Sequence, residues 1–502
     1  MDSVVEIRGG RLRGNFSDGI YAFKGVRFAA PPFGANRLRP PQPVEPWDGV
    51  REALTFGPKS PQVPYPPGIA EVIPELVGSG EDCLTLNIWT PNIATAGLPV
   101  MVWIPGGMFE FHATGATPFY DGSRFARDGV VCVTIGYRVG AEGFLYLADG
   151  VANLGLLDQI AALEWVRENI GHFGGDSGKV TIFGESAGAM SVATLLAMPR
   201  AKGLFRRAIV ESGNTPKVNS AGTAERIGRR LAQLMGVEPT RRVIAAALPD
   251  QVLQAQAKLR DELLTRPDPA FWGEVVLSYL PWAPTIDNRT IPQPPIERIN
   301  AGAAADIDLL VGSNMDETRL FLVCGGSIDN ITEEALSAIA GAYGLPPEGL
   351  RAYRTAYPGA SAGELFSAIQ TDWYWRIPAV RMADAHARTA RASTFMYEFA
   401  WRSPQFGGRL GAAHSLEIPF VFDTLGLGTE PVLGPDPPQS LATAIHRAWV
   451  AFAVAGECGW PKYDLARRST MHFDTTPTVV DNPLASKLAL WESVCQENAT
   501  GA

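Results

Sequence analysis

Positive charge is scarce in this sequence. Its 43 Lys and Arg stand against 52 Asp and Glu, a net charge of -9 over 502 residues. That deficit argues against nucleic acid or an anionic membrane surface as the main partner. The basic run RIGRRL (226–231) reads as a solvated helix face. Cysteine is sparse too. The five, at 83, 132, 324, 458 and 495, form no CxxC pair and no dense framework. Such usage speaks against a structural metal and for reduced, buried thiols. No apolar run approaches the ~18 residues needed to cross a bilayer. The opening MDSVVEIRGGRLRG has neither the basic n-region nor the apolar h-region of a signal peptide. A cytoplasmic protein with no membrane association is expected. Internal periodicity and low-complexity tracts are also missing, which disfavours a repeat architecture.

Apolar sequence is plentiful, at 46% of residues, enough for a sizeable core. The first 80 residues are rich in Pro and Gly and read as short strands and loops wrapping the body. From about residue 98, apolar runs alternate with helical segments. PVMVWI (99–104), VVCVTI (130–135), VTIF (180–183), AIV (208–210), DLLVG (308–312) and TFMYEF (394–399) read as buried strands. The segment 153–170 has helical apolar spacing, with Asn153 as a plausible N-cap. This pattern predicts an α/β fold: a mostly parallel central sheet flanked by helices, within one domain over 1–502. More polar, helical stretches at roughly 216–280 and 325–392 read as insertions roofing one edge of the sheet. Ligands in such folds sit beyond the carboxyl ends of the strands.

The chemistry-bearing residues follow those ends. In VTIFGESAGAMS (180–191), Ser186 stands between Gly184 and Gly188 at a strand-to-helix turn, and Pro199 closes the helix. This is the G-x-S-x-G nucleophile elbow, which sets a hydroxyl clear at a helix N-terminus. A serine needs a base, and the base needs an acid to hold its tautomer, in the chain order Ser, acid, His. LLVGSNMDETRLFL supplies two adjacent acids, Asp316 and Glu317, which spacing alone does not separate. Of the downstream histidines, His386 and His446 sit in helix-like contexts and His472 lies near the end. His414 lies in a small-residue loop after the last expected strand and is the favoured base. The loop WIPGGMFEF (103–111) leaves a strand with Gly106–Gly107, so its amides can serve an oxyanion together with the amide that follows Ser186.

At these residues the chain resembles the type B carboxylesterase/lipase family, α/β-hydrolases that include cholinesterases and bacterial p-nitrobenzyl esterases. The likeness runs nearly end to end. It takes in FKGVRFAAPPFGANRLRPPQP (23–43), EDCLTLNIWTP (81–91), YRVGAEGFL (137–145), FGGDSGKVTIFGESAGAMS, HSLEIPFVF and GWPKYD (459–464). The resemblance implies an α/β-hydrolase fold and cofactor-free hydrolysis of a small-molecule ester through an acyl-enzyme. It assigns Ser186 as nucleophile, His414 as base and Glu317 as acid, from a G-x-x-x-D-E arrangement that leaves Asp316 structural. It assigns the amides of Gly107, Met108 and Ala187 to the oxyanion hole, with Gly106 shaping the loop. Phe109, His112 and Glu185 are candidates for the pocket lining. The aromatics of DWYWR (372–376) either line that pocket or pack as an ordinary helix, and Ser212 falls behind the site. The oligomeric state stays open, with a monomer sufficing. Amide or carbamate cleavage and lipase action use the same machinery. Silent adhesion relatives lack the serine or the histidine, and this chain keeps all three.

Three departures bear on substrate and compartment. Met108 occupies the third position of the glycine loop, where its side chain is expected to narrow the pocket against bulky acyl or tertiary-alcohol groups. Ser60, in FGPKSPQ, stands where the family often carries a cysteine to pair with Cys83, so that disulfide is excluded. Gly136 stands where Asn commonly precedes YRVG, and nothing in the residues explains it. No Trp occurs between residues 49 and 88, where cholinesterases hold choline, so choline esters are not the expected substrate.

Overall fold

The computed structural model describes residues 3–73, 77–94, 96–111, 114–213 and 218–500. Eleven strands of the described residues form its central sheet. In chain order they are β1 (Asn15–Ser17), β2 (Ile20–Arg27), β3 (Thr85–Thr90), β4 (Leu98–Ile104), β5 (Val131–Ile135) and β6 (Gly175–Glu185). β7 (Arg207–Glu211), β8 (Asp308–Asn314), β9 (Thr394–Phe399), β10 (Ser469–Phe473) and β11 (Thr478–Asp481) follow. Their spatial order is β11-β10-β9-β8-β7-β6-β4-β5-β3-β2-β1. From β10 across to β5 every neighbouring pair is parallel. The strands at the two edges are antiparallel.

The apolar runs are continuous because both faces of the parallel region are covered. Along β4, Val100, Val102 and Ile104 join one core, while Met101 and Trp103 join the other. Helices α1 (Leu154–Asn169) and α2 (Ala187–Ala197) pack on the first face, with Ile160, Leu163, Val192 and Leu195 in that core. A further helix there, α3 (Pro249–Thr265), adds Val252 and Leu259. The short α4 (Arg319–Cys324) follows β8. On the opposite face, α5 (Gln439–Ala455) brings Trp449 and Phe452. That core is dominated by aromatic edges: Trp103 meets Phe183 at 4.8 Å and Phe422 at 5.1 Å between ring centroids. Among the described residues no helix is long and apolar enough to cross a membrane.

Three expectations need correction. The N-terminal strands do more than wrap the body: β1 and β2 extend the main sheet itself, while Val4–Ile7, Gly10–Arg13 and Val50–Glu52 form a small sheet of their own. β6 is 11 residues long instead of four, because the polar GDSGK stretch is extended and Gly175 still pairs with Leu98 across an irregularity. Asn153 occupies the N-cap position of α1 but does not cap it. Its backbone is left-handed (φ 55°, ψ 39°) and its side chain is turned away. The carboxamide instead grips the backbone of Thr285, accepting from its N–H at 2.7 Å and donating to its carbonyl at 2.9 Å.

Candidate active site

β6 delivers Ser186 to the sheet edge, and α2 begins at the next residue. Ser186 has φ 55° and ψ −124°, a backbone state that costs an ordinary residue about 1–3 kcal/mol and persists only where the surroundings impose it. The imposition is visible. The Ser186 N–H donates to the Glu211 carbonyl at the end of β7 (3.0 Å), and its carbonyl accepts from Met190 N–H (2.8 Å). The flanking glycines are there for close approach to β4. A Cβ on Gly188 would lie 1.9 Å from the Ile104 carbonyl oxygen, and one on Gly184 would lie 2.6 Å from it.

The loop leaving β4 crosses directly over this turn. A Cβ on Gly106 would sit 2.8 Å from the Glu185 carbonyl oxygen and 3.1 Å from Ser186 Cβ. Gly107, Met108 and Phe109 then take φ values of 109°, 56° and 58° in succession. The turn closes as Glu110 and Phe111 N–H both donate to the Gly107 carbonyl, at 3.0 and 2.7 Å. Gly107 and Met108 face the same cavity as Ser186, while Ala187 is fully buried as the first residue of α2.

Two residues past β8, the adjacent acids separate. Glu317 is fully buried: its Oε1 accepts from Asn314 N–H (2.8 Å) and its Oε2 lies 2.6 Å from His414 Nδ1. The backbone repeats the link, His414 N–H donating to the Glu317 carbonyl at 3.2 Å. Asp316 faces the other way. It accepts from Ala412 N–H (3.0 Å) and pairs with Arg402 (3.3 Å) and Arg319 (3.5 Å), pinning the loop that carries the histidine. The remaining downstream histidines lie elsewhere: His386 bonds Thr394, His446 bonds the Val421 carbonyl, and His472 faces Glu398 from β10.

His414 Nε2 faces Glu185 Oε1 at 3.0 Å, and Glu185 also accepts from Ser415 Oγ at 2.7 Å. Among the described residues the Ser186 hydroxyl makes no hydrogen bond, although Ser186, His414 and Glu185 line one cavity. Burial would depress the imidazole, but the Glu185 and Glu317 carboxylates outweigh it and raise His414 to about 9. Burial pushes Glu185 up to about 7, against the pull of His414 and the Ser415 hydrogen bond. Behind it, burial and repulsion from Glu185 and Glu317 lift Glu417 to about 8, despite the hydrogen bond from Asn314 Nδ2. Burial also holds Glu211 well above the carboxylate range, with Trp449 Nε1 donating to it at 2.7 Å. Glu185 and Glu317 thus flank the His414 ring, and Glu417 adds to the negative field on it.

The cavity measures about 110 Å³. Its wall is mostly apolar, with Met108, Phe111, Phe119, Phe321, Leu416 and Ile418 prominent. Phe109 is not part of it. The left-handed pair at 108 and 109 turns that ring into the core, where it meets Phe144 at 5.0 Å, and Phe111 takes the wall position. Phe111 stacks on Tyr65 at 5.0 Å. His112 lies outside the described residues. In DWYWR, Asp372 and Arg376 form a buried ion pair of 2.9 Å and Trp373 stacks on Tyr343, so most of the segment packs internally. Trp375 alone of these reaches the site, 5.5 Å from the His414 ring. Ser212 lies 3.5 Å from Glu417. Ser415, Asn314 and Glu417 were missed in the sequence, although the HSLEIPF stretch contains two of them.

Comparison with known proteins gives one answer. The model of the Carboxylesterase family matches residues 1–491. The para-nitrobenzyl esterase of Bacillus subtilis (strain 168) is 37% identical, over 96% of this chain and 97% of that one. The phenmedipham hydrolase of Pseudarthrobacter oxydans is 33% identical over 90% of each. Among solved structures, a Geobacillus stearothermophilus carboxylesterase superposes with a TM-score of 0.85 at 36% identity, covering 97% of this chain and all of that one. A PNB esterase gives 0.84 at 35% identity, covering 98% of this chain and 99% of that one. The chain belongs to the carboxylesterase family: it is an α/β-hydrolase and a serine hydrolase of carboxylic esters.

Proposed function

We propose that Ser186, His414 and Glu317 are the catalytic triad of this esterase, and that the amides of Gly107, Met108 and Ala187 hold the oxyanion. The observation that carries the reading is the 2.6 Å contact between Glu317 Oε2 and Nδ1 of His414, whose ring lines the same cavity as Ser186. Glu317 fixes the imidazole tautomer with Nδ1 protonated, leaving Nε2 to act as base. In the resting arrangement Nε2 is engaged by Glu185. Catalysis requires it to release Glu185 and take the Ser186 proton.

Ser186 Oγ then attacks the ester carbonyl, and the C–O double bond electrons move onto oxygen beneath the three amides. Collapse expels the alcohol, which takes the proton from His414 Nε2. Water, deprotonated by the same nitrogen, attacks the acyl-enzyme and releases the acid, restoring Ser186. Ala187 supports this assignment by its place at the N-terminus of α2, where backbone amides and the helix dipole favour negative charge. The apolar wall and the carboxylate of Glu185 favour neutral esters with apolar groups over anionic ones. Glu185 and Met108 then shape the pocket, with Gly106 permitting the loop to cross the elbow. Cytoplasmic residence fits the free thiols at Cys83, Cys132, Cys324 and Cys458. Ser60 stands beside Cys83, whose thiol burial pushes up to about 12.

Ser186→Ala tests the core of the reading. Hydrolysis of short p-nitrophenyl esters and labelling by a fluorophosphonate should both vanish while the far-UV spectrum is unchanged. Turnover surviving in that variant removes the assignment.

A further inference from the structure

Resting on the oxyanion assignment above, we propose that α3 acts as a clamp on the loop 106–111, with Arg260 the positioning residue that sets the Gly107 and Met108 amides. The loop holds two non-glycine residues in the left-handed region, Met108 and Phe109. Such a conformation relaxes unless something outside the loop over-determines it. One face of α3 supplies that constraint. Gln256 and Arg260 are four residues apart on the helix and so project on one side.

Arg260 Nη2 pairs with Glu110 Oε2, and Glu110 is 1% exposed, inside the turn that Gly107 begins. Among the described residues no other cation pairs with Glu110. The same guanidinium lies 5.1 Å from the centroid of Phe111, the aromatic wall of the cavity. One helical turn earlier, Gln256 Oε1 accepts from Ala141 N–H at 2.6 Å. The neighbouring Gly140 N–H donates to the Phe109 carbonyl at 2.7 Å. A Cβ at Gly140, whose φ is +58°, would stand 2.2 Å from Gln256 Oε1. Residues 109, 110 and 111 are thus each tied, directly or through one peptide, to the same helix face. These ties hold the turn on the far side of the Gly107 and Met108 amides.

The clamp acts only where charge develops. A loosened loop binds ester much as before but meets the tetrahedral oxyanion with badly aimed donors. The loss therefore falls on kcat and on affinity for analogues of the tetrahedral state, while KM barely moves. Removing one oxyanion donor outright costs roughly 100- to 1000-fold, so misaiming two donors through Arg260→Met should cost about 10- to 100-fold in kcat.

The test counts active sites with a fluorophosphonate, then measures kcat and KM on p-nitrophenyl acetate. Inhibition by a trifluoromethyl ketone, which forms a hemiketal oxyanion on the serine, is read in parallel. Arg260→Met should lose kcat per titrated site and ketone affinity by the same factor. Arg260→Lys, which keeps charge but loses the fork, should fall between it and the parent, and it carries the test alone if the Met variant does not fold. Arg230→Met, which breaks the 2.5 Å pair that Arg230, on the helix Ala221–Met235, makes with Glu262 of α3, should reduce only the melting temperature. Wild-type kcat per site and ketone affinity in both Arg260 variants overturn the proposal, as does an equal kcat loss in Arg230→Met. Parent enzyme that the fluorophosphonate does not label would instead overturn the Ser186 reading.

Discussion

A single methyl group at Gly188 should disable the enzyme without touching any proposed triad residue. The Cβ of Gly188→Ala would arrive 1.9 Å from the Ile104 carbonyl oxygen and 2.9 Å from the carbonyl carbons of Ile104 and Pro105. Real Cβ atoms essentially never approach within 3.0 Å, so backbone must part by about 1.1 Å, the step from 1.9 to 3.0 Å. The obstacle is main chain on a central strand, with no flexible side-chain end to swing aside. Overpacking of this kind costs about 1–3 kcal/mol, and a rigid backbone contact belongs at the upper end. The displacement also lies along the axis joining the elbow to the loop 105–108, so it opens the gap between Ser186 and the oxyanion amides. A 1 Å misplacement of reacting groups costs roughly 100-fold in rate. The expected result is a soluble protein with a lowered melting temperature and a kcat/KM on p-nitrophenyl acetate about 100-fold down per titrated site. If Gly188→Ala melts and turns over like the parent, the close-approach account of the G-x-S-x-G glycines is wrong.

Two further perturbations probe the same site. In Glu185→Gln, loss of the carboxylate that faces Nε2 removes stabilisation of the imidazolium, so His414 should titrate below about 9. Because the base works only when neutral, the acid limb of the kcat/KM profile should move to lower pH; a limb that stays put or moves up contradicts the placement of Glu185. Met108→Ala should raise kcat/KM for a tertiary-alcohol ester relative to its primary counterpart by about tenfold, since pocket groups of this size are worth roughly 10- to 200-fold in discrimination. An unchanged ratio would show that Met108 does not set the width of the pocket.

The central sheet was legible because strands buried on both faces announce themselves as unbroken apolar runs, and a helix must cross between parallel neighbours. The elbow was legible for a related reason: two glycines around a serine are an expensive arrangement with few uses. Other features carried no local signal. β6 begins in GDSGK, whose polar residues hide an extended backbone, and β10 is a short mixed run, STMHF, that carries no strand signal of its own. Asn153 looks like a cap because Asn before a helix usually is one, yet Thr285, 132 residues away, offers its backbone to the same carboxamide. The exchange of Phe109 for Phe111 at the cavity wall turns on two left-handed residues, which no residue preference in MFEF foretells. Asp316 and Glu317 are chemically equivalent neighbours. Only the tertiary positions of Ala412 and His414 tell them apart.

Pairing His414 with a carboxylate 97 residues upstream, and Ser415 with one 230 residues upstream, has a meaning for biosynthesis. If His414 is the base proposed above, a ribosome must release the chain past that residue before the first competent molecule exists, and a proteolytic fragment ending short of the histidine loop should hydrolyse nothing. Until β10 emerges, moreover, β9 presents a bare backbone edge to its surroundings. The onset of esterase turnover during translation would therefore clock completion of the sheet, and a stall between β9 and β10 would leave a silent, adhesive intermediate.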